Sequence, residues 1–298
     1  MTTALIILPD FLLILLGFAL SRWVGYERAF WDALERLIYF VLFPVLLFRS
    51  LLRTTIEFAA AAPLIATGLG IMAAGMLLSY LGKYIFSTSA SGFASGFQCG
   101  FRFNTYIGLA IAGSLYGTQG IAAMSLIAGT MIPPANVVSV WALARHSGSN
   151  GWVELLRNPL IIATVAGIVA NLSGLALPAP ADHFLEILAA ASLPMGLLAV
   201  GAGLKVVALR EATAITGFWL AVKLLVLPVV AWFLGRALGL HGLYLTIAIA
   251  FAALPPASSA FILATRMGGE GRSVAAIISL GTLLAMLTMP AWIAVFDL

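Results

Sequence analysis

An apolar stretch of the sequence is interrupted near its middle by GFRFNTYIG (100–108), which carries residues able to bind an anion. Arg102, Asn104 and Thr105 supply guanidinium, amide and hydroxyl groups, all of which donate hydrogen bonds. A charged residue inside a membrane helix costs at least about 2.5 kcal/mol. Arg102 is therefore expected either to face a wet cavity or to snorkel to the cytoplasmic surface. Asn104 is expected to bind an anion, to cap the broken helix, or to do both.

A second apolar stretch is interrupted by ALPPASSAF (253–261). Pro255 and Pro256 remove two backbone donors and leave carbonyl groups one turn earlier without their helical partners. The hydroxyls of Ser258 and Ser259 can replace some of these bonds, and the N–H groups of the next helix end favour an anion. A simple structural kink is the alternative.

The composition places both interruptions in a membrane. The chain has 298 residues, of which 62% are hydrophobic and 9% charged, and its mean hydropathy is +1.11. Soluble domains carry about 25% charged residues, so the sequence predicts one integral membrane domain with the lipid bilayer as its partner. The net charge of +4 is dispersed, which gives no indication of nucleic-acid binding. The only cysteine, Cys99, excludes an internal disulfide framework.

Gly, Pro and charged residues divide the sequence into ten apolar spans, which predicts an all-α fold of ten transmembrane helices. The predicted spans, numbered one to ten, are 4–21, 34–52, 62–82, 89–115, 120–145, 158–176, 184–205, 212–235, 242–265 and 273–296. Hydrocarbon cannot satisfy freed backbone groups, so breaks in spans four and nine are expected to be buried in protein or to line a cavity. Paired breaks of this kind are typical of the binding site of a secondary transporter.

Basic residues predict the orientation of the spans. The loops after odd-numbered spans contain Arg22, Arg28, Arg36, Lys83, Arg145, Arg157, Lys205, Arg210, Arg266 and Arg272, whereas the opposite loops contain Arg49, Arg53 and Arg236. The richer side is expected to be cytoplasmic, which places both termini on the non-cytoplasmic side of the cytoplasmic (inner) membrane. Residues 1–150 and 151–298 then form two five-helix halves of opposite orientation.

A shift of 150 residues supports this inverted repeat. It relates Pro9 to Pro159, Gly17 to Gly167, Pro44 to Pro194, and Asn104 to Leu254.

Two further polar residues within spans have alternative roles. Asn136 in span five could bind substrate or could bond the carbonyls freed by Pro133. Lys223 in span eight could snorkel or pair internally.

No acidic residue falls clearly at mid-membrane, which argues against an obvious proton relay. No nucleophile triad, metal-ligand cluster or phosphate-binding loop is recognisable, so we expect no enzyme activity, cofactor or metal site.

Several segments resemble the auxin efflux carrier family, which spans bacterial organic-acid carriers and the plant auxin exporters. The resemblance covers nearly the whole chain and is carried by FPVLLFRSL (43–51), FRFNTYIG (101–108), PANVVSV (134–140), KLLVLP (223–228) and TLLAMLTMP (282–290). It implies a fold like the bile-acid/sodium symporters. Spans one, two, six and seven would form a scaffold, spans three to five and eight to ten a mobile transport unit, and two copies a homodimer.

The resemblance also implies that polar residues at the crossing of spans four and nine bind the substrate carboxylate. Asn104 matches this pattern, but Ser259 stands where family members often have asparagine, and serine has fewer donors and a shorter reach. The link after span five lacks the long cytoplasmic insertion of the plant exporters, so auxin is not the expected substrate.

The sequence therefore predicts an alternating-access carrier of a small organic anion, such as a mono- or dicarboxylate. Asn104 and Ser259 would hold carboxylate oxygens, Ser258 would assist, and Arg102 would add positive potential or set a gate. A sodium-coupled symporter of the bile-acid type and a membrane sensor that binds without transporting are the alternatives.

Overall fold

The chain is built from helices. The computed structural model describes residues 8–53, 58–144, 159–204 and 213–296. Every regular element within these ranges is a helix, which confirms the predicted all-α class for the described chain. The predicted junction of the two halves and the first residues of span one lie outside the described residues. So do four of the basic residues used to predict orientation, Arg145, Arg157, Lys205 and Arg210.

The helices are named here in chain order. They are α1 (Leu8–Ala19), α2 (Arg28–Leu37), α3 (Phe43–Arg53), α4 (Phe58–Ile85), α5 (Ala90–Phe97), α6 (Thr105–Ala144), α7 (Pro159–Leu172), α8 (Ala179–Ala202), α9 (Ala214–Ala221), α10 (Leu227–Ala237), α11 (Gly242–Ala253), α12 (Ser259–Arg266) and α13 (Gly271–Val295). In the described part of the chain, three π-helical segments continue or join them: Leu20–Val24 after α1, Ile38–Leu42 between α2 and α3, and Val222–Val226 between α9 and α10. A 3₁₀ turn, Gln98–Gly100, follows α5.

Several of these helices are long and apolar enough to cross a membrane. Within the described ranges the candidate spans are Ala61–Ile85, Ala90–Leu143, Ala179–Ala202, Ala214–Ala237 and Gly271–Val295. Two shorter apolar helices are Ile162–Leu172 and Gly242–Ala253. The chain is therefore a multi-pass membrane protein.

The candidate span Ala90–Leu143 is too long for a single crossing. An α-helix rises about 1.5 Å per residue, so its 54 residues would exceed the roughly 30 Å hydrocarbon core. An irregular stretch before α6 and a kink inside it divide the segment. At the kink, Tyr116 leaves helical geometry and Gly117 has a φ of 56°, a left-handed conformation that glycine adopts without a Cβ clash. The kink falls between the predicted end of span four and the predicted start of span five.

Two helix pairs, α1 with α8 and α3 with α7, pack closely at glycines. A Cβ atom on Gly17 would lie 2.1 Å from the carbonyl oxygen of Leu198, so α1 and α8 meet backbone to backbone. A Cβ atom on Gly167 would lie 3.0 Å from the carbonyl oxygen of Phe48. A shift of 150 residues converts Gly17 into Gly167 and Phe48 into Leu198, so the two helix pairs make matching contacts.

Substitution of Gly201 by alanine is expected to destabilise the α1–α8 pair. The added Cβ would come within 1.8 Å of the carbonyl oxygen of Ile14, and such overpacking costs about 1–3 kcal/mol. The melting temperature of purified Gly201→Ala should fall clearly below that of the wild-type protein. Gly217→Ala is the matched control, because a Cβ there meets nothing within 4 Å. Equal melting temperatures for the two variants would contradict this account of the packing.

Candidate functional site

The first interruption lies between α5 and α6. The 3₁₀ turn Gln98–Gly100 ends α5, residues 102–104 are irregular, and α6 begins at Thr105. Asn104 caps α6, since its side-chain Oδ1 accepts from the backbone N–H groups of Tyr106 at 3.1 Å and Ile107 at 3.3 Å. The capping role considered from the sequence is therefore present in the structure. The cap uses only the amide oxygen of Asn104, so the amide nitrogen can donate to another group.

The second interruption lies between α11 and α12. Helix α11 ends at Ala253, and α12 begins at Ser259. Pro255 and Pro256 are buried and have no N–H group to continue the helix. The carbonyl of Ala252 would normally accept from the residue four positions later, which is Pro256. The interruption therefore leaves the buried Ala252 carbonyl without its helical hydrogen-bond donor.

Lys223 supplies that donor. It lies in the π-helical segment between α9 and α10, is only 1% exposed, and donates from Nζ to the carbonyl oxygen of Ala252 at 3.1 Å. Its ammonium also lies 5.8 Å from the ring centroid of Phe251. Of the two roles left open by the sequence, the structure has the internal pairing. The charge of Lys223 inside an apolar span marked it as unusual in the sequence, but the sequence did not show that the Ala252 carbonyl is its partner.

The two interruptions meet each other. The backbone N–H of Asn104 donates to the carbonyl oxygen of Pro255 at 2.9 Å, and its side-chain Nδ2 donates to Ser258 Oγ at 3.5 Å. The rings of Phe103 and Phe251, one from each side, have centroids 4.5 Å apart. We call this contact between residues 101–105 and 253–259 the crossing.

Arg102 joins the crossing from within the protein. It is 8% exposed, and its guanidinium donates to Ser259 Oγ at 3.0 Å and to Gln98 Oε1 at 3.2 Å. Gln98 in turn donates to the carbonyl of Ala260 at 3.3 Å. Arg102 therefore does not snorkel to a surface in this structure. Gln98, which was not singled out in the sequence, belongs to the same network.

The structure groups most of the residues singled out by sequence, but not all of them. Arg102, Asn104, Pro255, Ser258 and Ser259 contact one another at the crossing, and Thr105 and Pro256 adjoin them along the chain. Ser258 and Ser259 are exposed, while the prolines beside them are buried. No hydrogen bond among the described residues ties half-buried Asn136 to the crossing.

Two cations, Arg102 at the crossing and Lys223 beside it, have no carboxylate partner within the described ranges. Arg102 and Lys223 each donate to neutral oxygens, as given above, and the salt bridges of the described chain lie elsewhere. A buried charge is normally paired with an opposite charge, so the positive potential of these two cations is not neutralised by a carboxylate of the described chain. The exposed hydroxyls of Ser258 and Ser259 and the Asn104 amide add neutral donors.

Two cavities lie away from the crossing. One of about 220 Å³ lies between α3, α8 and the part of α6 after the kink, and includes Arg49, Thr118 and Glu186. The other, of about 680 Å³, lies among the end of α4, α5 and the end of α6.

Comparison with known proteins identifies the class of molecule. The family described as "Membrane transport protein" matches residues 143–293, just over half of the chain. The chain is 26% identical to a "Putative malonate transporter" of Rhizobium meliloti (strain 1021), covering 95% of this chain and 92% of that protein. It is 25% identical to an uncharacterized transporter of Escherichia coli (strain K12), over 97% and 96%. "Auxin efflux carrier component 4" of Arabidopsis thaliana is 30% identical, over 53% of this chain and 26% of the plant protein.

Proposed function

Since this chain belongs to the membrane transport protein family, with relatives that include auxin efflux carriers, we propose that it is a secondary transporter of small organic anions. Family membership makes it a membrane transporter and not an enzyme. The observation that carries the substrate class is the crossing itself. The hydrogen bond from Asn104 N–H to the Pro255 carbonyl supports a single site that both interrupted spans build.

The donors at the crossing favour a carboxylate. Arg102 and Lys223 provide positive potential, while Asn104 Nδ2 and the hydroxyls of Ser258 and Ser259 can donate directly to carboxylate oxygens. The N-terminal ends of α6 and α12 add the favourable helix-end field. Small mono- and dicarboxylates fit this set of donors. The name of the Rhizobium relative, which refers to malonate, makes malonate the first substrate to test.

We propose an architecture of ten transmembrane spans in two inverted halves. It is supported by the matching glycine contacts of α1 with α8 and of α3 with α7. It is also supported by the meeting of Asn104 with Pro255, because the shift of 150 places Asn104 at position 254. We assign α1, α2, α3, α7 and α8 to the scaffold and the remaining helices to the transport unit.

Movement of the transport unit against the scaffold would expose the crossing to each side in turn. The 220 Å³ cavity supports this mechanism, because it lies at the proposed boundary between scaffold helices α3 and α8 and transport-unit helix α6. Arg49 at this cavity is paired with Asp182 at 3.2 Å and Glu186 at 3.3 Å. A cytoplasmic-membrane location, termini on the non-cytoplasmic side, and a homodimer formed through the scaffold complete the proposal.

Transport of malonate by the reconstituted protein tests the proposed function. Proteoliposomes should accumulate radiolabelled malonate above protein-free liposomes, and excess unlabelled malonate or a related carboxylate should compete. Malonamide has a similar shape without the charges and should compete at least tenfold less well. Equal competition by malonamide would contradict an anion site. Saturable binding without any flux would instead favour the membrane sensor.

Replacement of sodium by choline on both sides of the membrane should leave malonate flux unchanged within about twofold. The Ala252 carbonyl, freed by Pro256 and otherwise a candidate sodium ligand, already accepts from the Lys223 ammonium. Initial rates in the two salts, at equal ionic strength and clamped membrane potential, provide the measurement. A strict requirement for sodium would support the bile-acid type of symporter in place of this proposal.

A further inference from the structure

We propose that the 680 Å³ cavity among α4, α5 and α6 binds an anionic phospholipid, with the lipid phosphate at Lys83. This cavity is separate from the crossing. Tyr80, Lys83 and Tyr84 line it from α4, Phe93 and Phe97 from α5, and Trp141 from the end of α6. Its volume lies within the roughly 300–1,000 Å³ typical of small-molecule sites.

The charge of the lining favours an anion. Among the described residues that line the cavity, Lys83 is the one cation and none carries a carboxylate. Its ammonium lies 5.8 Å from the ring centroid of Tyr80, which also lines the cavity. Glu270 approaches the start of α5 outside the lining, where it accepts hydrogen bonds from Ser89 at 2.7 Å and Ser273 at 3.2 Å. The exposed hydroxyls of Ser87 and Thr88 provide further donors beside Lys83.

The apolar surface leading to the cavity favours a lipid over a free anion. Leu77, Leu81 and Tyr84 recur at intervals of four and three along α4, so they lie on one helix face. All three are strongly exposed, and in a membrane this face meets acyl chains. Exposed Trp141 stands across the cavity. Tyrosine and tryptophan beside a basic residue are typical of the headgroup level of a bilayer, and basic clefts on the cytoplasmic side bind anionic headgroups.

The inference is tested by thermal unfolding of the purified full-length protein in detergent. Added phosphatidylglycerol should raise the melting temperature by several degrees, because a ligand that binds the folded state stabilises it. Phosphatidylcholine should raise it by less than half as much. Soluble glycerol 1-phosphate, which has the headgroup phosphate without acyl chains, should have no effect at the same concentration.

Two variants locate the effect. Lys83→Ala removes the cation, and Ala142→Phe fills the cavity from α6 without changing its charge. Each should lose at least half of the phosphatidylglycerol shift while melting near the wild-type temperature without lipid. Arg22→Ala is the matched control, because Arg22 is exposed on the same predicted side and does not line the cavity. It should keep the full shift.

Retention of the full shift by Lys83→Ala and Ala142→Phe would overturn the proposal, as would an equal shift from phosphatidylcholine or from glycerol 1-phosphate. If either variant melts too early to compare, native mass spectrometry of the wild-type protein decides. Preferential retention of phosphatidylglycerol over phosphatidylcholine, reduced by competition with cardiolipin, supports the site, and indiscriminate retention rejects it.

Discussion

Asn104→Asp is expected to reduce malonate transport at least tenfold while leaving the protein folded. Asparagine and aspartate are about equally good helix caps, so the carboxylate can still accept from the N–H groups of Tyr106 and Ile107, as the native amide oxygen does. The variant loses the Nδ2 donor and brings a negative charge to the crossing. A hydrogen bond to a charged group contributes about 1.5–3 kcal/mol, which corresponds to roughly 10–100-fold in affinity. Initial flux at matched protein content is the measurement.

Asn104→Ser separates the two roles of this residue. Serine also caps helices and is neutral, so this variant should fold and retain more flux than Asn104→Asp. Asn104→Ala removes the cap as well, which should cost about 1 kcal/mol of stability and lower the melting temperature. If Asn104→Asp transports malonate as fast as the wild type, Asn104 is only a cap and the proposed site loses its central donor.

Lys223→Met is expected to reduce malonate flux by an order of magnitude or more. At an effective dielectric constant of about 20, two opposite unit charges attract each other with several kcal/mol at about 4 Å and still with about 2 kcal/mol at twice that separation. The smaller value corresponds to roughly thirtyfold in affinity. Methionine is uncharged and matches the length of the apolar part of lysine. The Ala252 carbonyl loses its donor, at a cost of about 1–3 kcal/mol, but burial of an ammonium is also relieved. Lys223→Met should therefore lower malonate flux far more than it changes the melting temperature.

Two comparisons control this experiment. Lys223→Arg keeps the charge and should retain more flux than Lys223→Met. Arg272→Met removes a basic residue from the exposed start of α13 and should leave transport unchanged. Wild-type flux in Lys223→Met would mean that the ammonium serves only to satisfy the interrupted helix.

The features that the sequence predicted well depend on local signals. Pro255 and Pro256 must interrupt a helix wherever they lie in an apolar span, because they have no N–H group. Asn104, two positions after Arg102 in an apolar span, is a similar local signal. The meeting of these breaks was predictable from their matching positions under the shift of 150. Hydropathy and spacing thus located the two interruptions in the sequence, and their matching positions suggested that the interruptions contact each other.

The features that the sequence could not supply depend on tertiary neighbours. Hydropathy placed the start of span two at 34, but α2 begins six residues earlier at Arg28. Its first turns are polar and include the exposed pair Arg28–Asp32 at 2.9 Å, so hydropathy alone does not detect them. Span seven was predicted from 184, whereas α8 begins at Ala179. Its first turns include Asp182, which accepts from Arg49 of α3 at 3.2 Å.

The partner of Lys223 was unpredictable for the same reason. A lysine and a carbonyl 29 positions later in the chain meet only because the π-helical segment Val222–Val226 packs against α11. The contact of Gln98 with Arg102 is local, but the link from Gln98 to Ala260 spans 162 positions. Charged and polar residues in apolar spans can be marked as unusual from sequence, whereas the groups that satisfy them require coordinates.

The bond between Asn104 N–H and the Pro255 carbonyl joins main chain to main chain. Every residue has a backbone carbonyl, and every residue except proline has a backbone N–H. This bond therefore does not depend on the side chains at positions 104 and 255. The hydroxyls of Ser258 and Ser259 take no part in this main-chain bond, so they can vary without breaking it. Cargo preference should consequently be open to redesign through exchanges at Ser258 and Ser259, with the supporting architecture left in place.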